Sequence, residues 1–347
     1  MAASKGIGIG ATLSVQNLDR DTQAIIGNRV NDASETDTPT VTDKITSNGL
    51  VRVRAINDGF IFGASLAAAV KTKNTTKTGT DATESATLST ESDVPPPATD
   101  NKGKTGVSIA GDVAIKSITE NTRAYFRDAA PLTASGKVVD LWARNDTDFL
   151  SVSGAVAISL SDPTSKKKSV GIAGSFSKND LTMTTETFVK NSTITAGSLI
   201  QHSDTTGWVV AVSAGGSGST GTDSYAISGS VSLNEIDRTT RANLDNATVT
   251  LSGEMKQTAT SDATMTAVGG AFSIGGKLGV GASVGYNEIE STTEAKILSS
   301  TLSVAGDLSL KADNKNRITA ITVSLGASKS TGAAGTVSIN IIGLSQR

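Results

Sequence analysis

Ile7, Ile9, Ala11, Leu13 and Val15 alternate strictly with glycine, threonine and serine, and the same two-residue rhythm returns in the segments GVGASVGYNEI, NRITAITVSLGA and GTVSINII. Alternation with a period of two predicts half-buried β-strands. No window sustains the i, i+3, i+4, i+7 spacing of an amphipathic helix, and the abundance of β-branched and small residues favours pleated strands. The reading is therefore all-β.

The rhythm is nested in a longer one. An apolar residue is followed six positions later by a small one at Leu18/Ala24, Ile118/Ala124, Leu181/Thr187, Ile236/Ala242 and Ile289/Ala295, and Ile342 is a sixth anchor. Successive anchors lie 100, 63, 55, 53 and 53 residues apart, so the last intervals give the bare unit and the earlier ones the unit with insertions. A second landmark agrees: Gly49, Gly136, Gly197, Gly253 and Gly306 are followed six or seven residues on by Ala55, Ala143, Ser203, Ala259 and Ala312. Self-similarity at a fixed period marks a stacked architecture. The chain reads as one elongated repeat domain, 1–347, with units at about 6–105, 106–168, 169–224, 225–277 and 278–335 and a partial unit at 336–347.

Two geometries fit the unit, each with about five short strands. In a parallel β-solenoid (β-helix) of about five units of 53 residues, each unit makes two rungs of roughly 26 residues, and ten rungs stack into a rod about 50 Å long. In the alternative, stacked antiparallel β-hairpins, Thr264 to Ile274 pairs with Gly279 to Ile289 across Gly275-Gly276-Lys277-Leu278. The turns at Asp245-Asn246 and Asp313-Asn314 are expected at corners. Lys71 to Thr105 is a low-complexity surface loop rich in Thr and Ser with three prolines at Pro95 to Pro97, and Asn31 to Lys44 is a second polar insertion. Shorter insertions recur at the same place in later units, as in Ser161 to Lys168 and Ala214 to Ser224, which puts the loops on one face of the stack.

Composition narrows the function more than it identifies it. Aromatics are 3% of the 347 residues, which suits a thin interior of small side chains and speaks against a membrane barrel with aromatic girdles. A net charge of -2 with interspersed signs provides no basic stripe for a phosphate backbone, so no nucleic-acid partner is expected. Cysteine is absent, excluding disulfides and thiolate chemistry. No apolar run is long enough for a membrane-spanning helix, and residues 1 to 15 show no signal-peptide pattern. The chain opens and closes on an anchor strand, and so reads as a section of something longer or as a subunit that continues end to end.

No constellation carries chemistry, and no catalytic, cofactor-binding or metal residue is assigned. His202, the single histidine, lies in the polar stretch Gln201-His202-Ser203-Asp204, where sequence neighbours rarely have triad geometry. Gly215 to Asp223 resembles a calcium-binding glycine-aspartate repeat but occurs once, so it reads as a loop. Asp19/Asp21 and Glu288/Glu290 are paired acids that read as solvated strand positions. Gly6, Gly8, Gly10, Gly279 and Gly281 lack the following helix of a phosphate cradle and are expected to allow tight packing between rungs. Thr182-x-Thr184 and Thr248-x-Thr250 could form an ice-binding ladder, and Lys166 to Lys168 a polyanion contact; ordinary strand and loop roles are the competing readings.

The unit resembles the repeats of very large bacterial exoproteins, the leukotoxin-like and filamentous-haemagglutinin-like adhesins. The matching features are the strand endings Asn234-Glu235-Ile236 and Asn287-Glu288-Ile289, the Ala-x-Leu/Ile step that follows, a Ser/Ala-Thr-Val/Leu step, and a glycine before the next strand. That resemblance implies a β-helical stalk, secreted or displayed on a bacterial cell surface, with no catalytic residues to carry over. The expected role is a non-catalytic stalk, fibre or adhesive surface, with itself end to end, or a host or matrix glycan or protein, as partner. The competing classes are a secreted toxin fragment and a polysaccharide-degrading β-helix enzyme.

Overall fold

The computed structural model describes residues 2–4, 7–29, 44–72, 106–161 and 168–346. The insertion Asn31 to Lys44, the low-complexity segment Lys71 to Thr105 and the run Lys166 to Lys168 therefore lie, apart from Lys44, Lys71, Thr72 and Lys168, outside the described residues. The strands in the first half are β1 (Ala2–Ser4), β2 (Ile7–Gly27), β3 (Ile45–Thr46), β4 (Val51–Lys71), β5 (Gly106–Arg127), β6 (Leu132–Ser159), β7 (Ser169–Lys190) and β8 (Thr193–Thr206). Those that follow are β9 (Trp208–Ser219), β10 (Ser224–Asp245), β11 (Thr248–Leu251), β12 (Met255–Ile274), β13 (Leu278–Leu298), β14 (Thr301–Val304), β15 (Leu308–Ala327) and β16 (Thr331–Gln346). There is no helix among the described residues.

The strands form two sheets, and every pairing in both is parallel. Sheet two is simple: β2, β5, β7, β10, β13 and β16 lie side by side in chain order. Sheet one takes the remaining ten strands, with β4, β6, the β8/β9 pair, β12 and β15 as its long passes. The chain thus lays one long strand in sheet two, turns a corner, lays one in sheet one, and returns.

The anchor residues stand in one row of sheet two, since Leu18, Ile118, Leu181, Ile236, Ile289 and Ile342 are successive Cα partners. The second landmark holds in sheet one, where Ala55, Ala143, Ser203, Ala259 and Ala312 are partners in turn. Two expectations are corrected. Neighbouring strands are one whole anchor interval apart, so a pass is not two rungs of short strands but two strands of about twenty residues. The stack is consequently about 24 Å deep across six strands and about 70 Å wide along them, a slab where a 50 Å rod was expected.

The antiparallel alternative fails at the same place. Thr264 to Ile274 belongs to β12 in sheet one and Gly279 to Ile289 to β13 in sheet two, so the chain reverses between them without the two strands sharing a ladder. At the opposite corner Asp128, Asn191, Asn246 and Ser299 adopt φ between 46 and 48°, and Asp and Asn tolerate this left-handed region better than other side-chain-bearing residues. Their side chains form a ladder, Asn246 Nδ2 donating to Asn191 Oδ1 at 2.9 Å and Asn191 Nδ2 to Asp128 Oδ1 at 2.7 Å. Asp245-Asn246 is therefore a corner as expected. Asp313-Asn314 lies inside β15 and is not.

The space between the sheets tapers. Near the left-handed corner the short strands β3, β11, β14 and the starts of β6 and β8 make a third wall, and Phe126, Leu141, Ile194, Leu199, Leu244 and Met255 fill the room it creates. Further along, the anchors pack with Phe149, Met183 and Met265. At the far end only Ala67, Ala69, Ala110, Ala155, Ala157 and Ala173 remain as an apolar cluster. There a Cβ on Gly10 would meet the Ala68 carbonyl oxygen at 2.2 Å, and one on Gly215 the Gly229 carbonyl oxygen at 2.3 Å. Backbone faces backbone, well inside the ~10 Å of ordinary packed sheets.

Candidate functional site

Parallel strands in one register turn equivalent positions into rows along the stack, and two interior rows are polar. In one, Asn179 Nδ2 donates to Asn234 Oδ1 at 2.7 Å, Asn234 Nδ2 to Asn287 Oδ1 at 2.8 Å, and Asn287 Nδ2 to Asn340 Oδ1 at 2.8 Å. Lys116 occupies this row beside Asn179 and donates to Ser151 Oγ. Burial pushes its ammonium pKa down, against the pull of the Asp112 charge. The inner amides, Asn234 and Asn287, each serve two neighbours. Asn234→Ala is therefore expected to cost about 1–3 kcal/mol, because it strips an acceptor from Asn179 and a donor from Asn287. A urea titration followed by circular dichroism checks it.

The second row holds Arg20, Glu120, Met183, Arg238 and Ser291. Glu120 is fully buried and accepts from Arg20 Nε at 2.8 Å, Asn145 Nδ2 at 2.9 Å and Asn57 Nδ2 at 3.3 Å. Arg238 is also fully buried, donating to the main-chain oxygens of Asp262 at 2.7 Å and Gly207 at 3.2 Å. Burial pushes its guanidinium down to about 10, with the charges of Asp262 and Glu120 acting the other way. These groups hold the sheets together from inside. Apart from Arg20, whose side chain is partly exposed on the edge strand β2, these charged groups are shielded from solvent and offer no surface to a substrate.

The tapered half reverses the usual polarity. Its inward positions are largely serine, glycine and alanine, with hydroxyls paired between sheets: Ser169 with Ser219 at 2.7 Å, Ser273 with Ser228 at 2.9 Å, Ser175 with Ser213 at 3.2 Å. Its outward positions are largely apolar. On sheet two, Ile109, Ile172 and Ile227 form one outward ridge and Val113, Phe176, Val231 and Val284 another. Between the ridges runs a trench floored by Gly111, Gly174, Gly229 and Ala282, a groove of about 450 Å³. Sheet one is apolar outside over the same half, with Phe62, Leu66, Val156, Phe272 and Leu325 exposed.

Charge borders this band on both sides. Beyond the second ridge, Asp180, Glu235 and Glu288 share an outward row, and Asp237 and Glu290 the next. Lys178 Nζ lies 3.8 Å from both Asp180 and Glu235, and Tyr286 Oη donates to Glu288 at 2.6 Å. Burial, then the neighbouring Glu290 and Asp180 charges, push the Asp237 carboxyl pKa up. At the thin edge stand Lys168, Lys277 and Lys329, with Lys277 Nζ 3.7 Å from Asp223. No three acids or histidines converge as a metal site among the described residues.

The residues singled out in the sequence are distributed over the slab. His202 lies in β8 and not in a turn; its Nε2 is 2.7 Å from Asp204 Oδ2, and its ring meets the edge of Trp142. Ser203 points the other way, into the interior, where it donates to the Arg241 carbonyl at 2.6 Å. Histidine and serine are thus on opposite faces of one strand. Gly215 to Ser219 continue β9, so only the end of that glycine-rich stretch is loop. Asp21 pairs with Arg29 at 3.5 Å and Arg123 at 3.8 Å. Gly8, Gly10, Gly279 and Gly281 do permit close packing, but between the two sheets and not between rungs. Thr182 and Thr184 face outward on β7, whereas Thr248 and Thr250 align with Thr193 and Thr195 on one side and with Thr301 and Ser303 on the other.

The buried charges Asp112, Lys116, Glu120 and Arg238 went unnoticed in the sequence. A signal existed: Arg238 is two residues after the anchor Ile236 and Glu120 two after Ile118, so each shares its anchor's inward face. No protein-family model, curated protein or solved structure matches the chain.

Proposed function

We propose that this chain is a structural section of a β-solenoid of about five units of 53 residues, belonging to a bacterial surface or secreted protein and acting as stalk, fibre or adhesive surface without catalysis. The supporting observation is the single register of the anchor row from Leu18 to Ile342, which gives the two ends of the stack matching patterns. The first strand offers Leu18 and Gln16 where the last offers Ile342 and Asn340, so another copy can continue both the apolar row and the amide row. Among the described residues β2 and β16 are the edge strands of sheet two, and edge strands favour such addition. A host or matrix glycan or protein is the proposed ligand of the lateral surface.

Negative-stain microscopy over a concentration series tests the reading. Slabs about 70 Å wide that lengthen into unbranched filaments are the expected result for end-to-end growth. Discrete slabs of constant depth assign the chain to a stalk that does not polymerise by itself. Compact globules would sink the solenoid. A competing reading, a β-helix that cleaves polysaccharide, rests on the outward rows of Asp180, Glu235 and Glu288 beside Lys178. Release of reducing sugar from a glycan panel by the purified chain would install it.

A further inference from the structure

We propose that the apolar outer face of sheet two is a dimer interface, covered by the same face of a second copy turned about an axis along the stack. This contact is lateral and independent of any end-to-end growth at the strand edges.

Three observations point to that occupant. The first is shape. The trench of Gly111, Gly174, Gly229 and Ala282 runs directly beside the ridge of Val113, Phe176, Val231 and Val284, two residues along each strand. A two-fold rotation that reverses strand direction while keeping the strand order lays each copy's ridge in the other's trench. The patch is thereby its own complement, as an isologous interface requires.

The second is area. The band covers about nine residues along each of six strands, roughly 30 Å by 29 Å, or about 870 Å² per partner from ordinary strand dimensions. That is what each partner of a stable complex typically buries, and it is larger than the apolar patches of most monomers. The exposure is real for individual side chains: Ile227 is 40% accessible and Val284 39%.

The third is charge. The rotation that seats ridge in trench also carries the thin edge of one copy over the carboxylate rows of the other. On β13 it pairs Val284 with Ala282, and by the same count it brings Lys277 opposite the gap between Glu288 and Glu290. On β10 it places Tyr225 opposite Glu235. The edge carries three lysines against Asp223, and the rows six carboxylates, Asp19 on β2 included, against Lys178, so the sum is attractive. One local pair, Asp223 facing Asp237, is repulsive, and Lys277 already shields Asp223.

Sedimentation velocity of the intact chain over a concentration series is the test. A monomer–dimer equilibrium that weakens with added salt is expected. Gly111→Val and Gly174→Val fill the trench, and because a Cβ at either position meets nothing within 4 Å the monomer keeps its fold. The double variant is expected to raise the dimer dissociation constant at least ~10-fold with unchanged circular dichroism. Glu290→Lys is expected to weaken the dimer and Lys277→Glu, added to it, to restore it, since the swap rebuilds the pair with signs exchanged. Four results would overturn the proposal: a monomer at every concentration, a dimer indifferent to the filled trench, open-ended growth unaffected by those variants, or a charge swap without recovery. Flotation with phosphatidylglycerol vesicles by a chain that does not self-associate would assign the face to lipid instead.

Discussion

Glu120→Ala is expected to destabilise the protein by about 3–5 kcal/mol, among the largest effects of any single truncation. The carboxylate is completely shielded from water and is the shared acceptor for the Arg20 guanidinium and the amides of Asn57 and Asn145. Removing it leaves two amide donors facing a dry gap between the sheets and leaves the Arg20 guanidinium, 28% exposed at the sheet edge, without its carboxylate; buried polar groups without partners cost more than their hydrogen bonds contribute. Arg238, fully buried and within electrostatic reach of Glu120, loses a compensating negative charge at the same time. The double replacement Arg20→Met with Glu120→Leu separates these terms, because it removes both charges while keeping bulk. It leaves the Asn57 and Asn145 amides without their acceptor as Glu120→Ala does, so its cost is expected to be about 1–2 kcal/mol below that of Glu120→Ala and not to vanish. Urea unfolding of the two variants side by side checks the pair, and equal losses in both would refute the charge argument.

Gly215→Val is expected to cost about 3 kcal/mol or more by forcing the sheets apart at the taper. The first side-chain carbon would sit 2.3 Å from the Gly229 carbonyl oxygen and 3.0 Å from its carbon. Both partners are main chain, so no rotamer change relieves the clash. Gly218→Val is the control. It lies three residues along the same strand, a Cβ there meets nothing within 4 Å, and valine suits a strand better than glycine does. Its effect is expected to stay within about 0.5 kcal/mol. Thermal unfolding of both variants gives the comparison; similar melting temperatures would mean that the sheets can separate freely at this end.

The anchors Leu18 to Ile342 could be read from the sequence because burial in one row demands the same kind of residue on every pass. The second row, Ala55 to Ala312, was legible for the same reason. What could not be read is how the chain closes on itself. Gly275-Gly276-Lys277 announces a reversal, but a turn of that length serves equally for strands sharing a ladder and for strands facing each other across a core. Asn314 looked like a corner because asparagine favours turns, whereas Asn57 and Asn145, its counterparts along the row, make buried hydrogen bonds to Glu120 within strands. The lateral site was hidden by an assumption about polarity. In segments such as SYAISGSVSL the serines point in and Tyr225, Ile227, Val231 and Leu233 point out, opposite to the usual direction, because the gap between the sheets is too thin for larger side chains.

The arrangement of one strand per sheet on each pass also sets how the chain responds to tension. Ile7–Gly27 and Thr331–Gln346 form opposite edges of sheet two, and the ladders between them run along the line joining those edges. A force applied to both ends therefore pulls along the hydrogen bonds and peels the edge strands open from one end, bond after bond, instead of shearing a whole ladder at once. Each pass that yields removes about 4.8 Å of stack and releases an interval such as the 53 residues from Ile236 to Ile289, about 180 Å of extended chain. Stretched between two attachment points, the slab acts as an extensible tether that releases length in quanta, and the Arg20–Glu120 contact between the edge strand β2 and β5 must break when that edge yields.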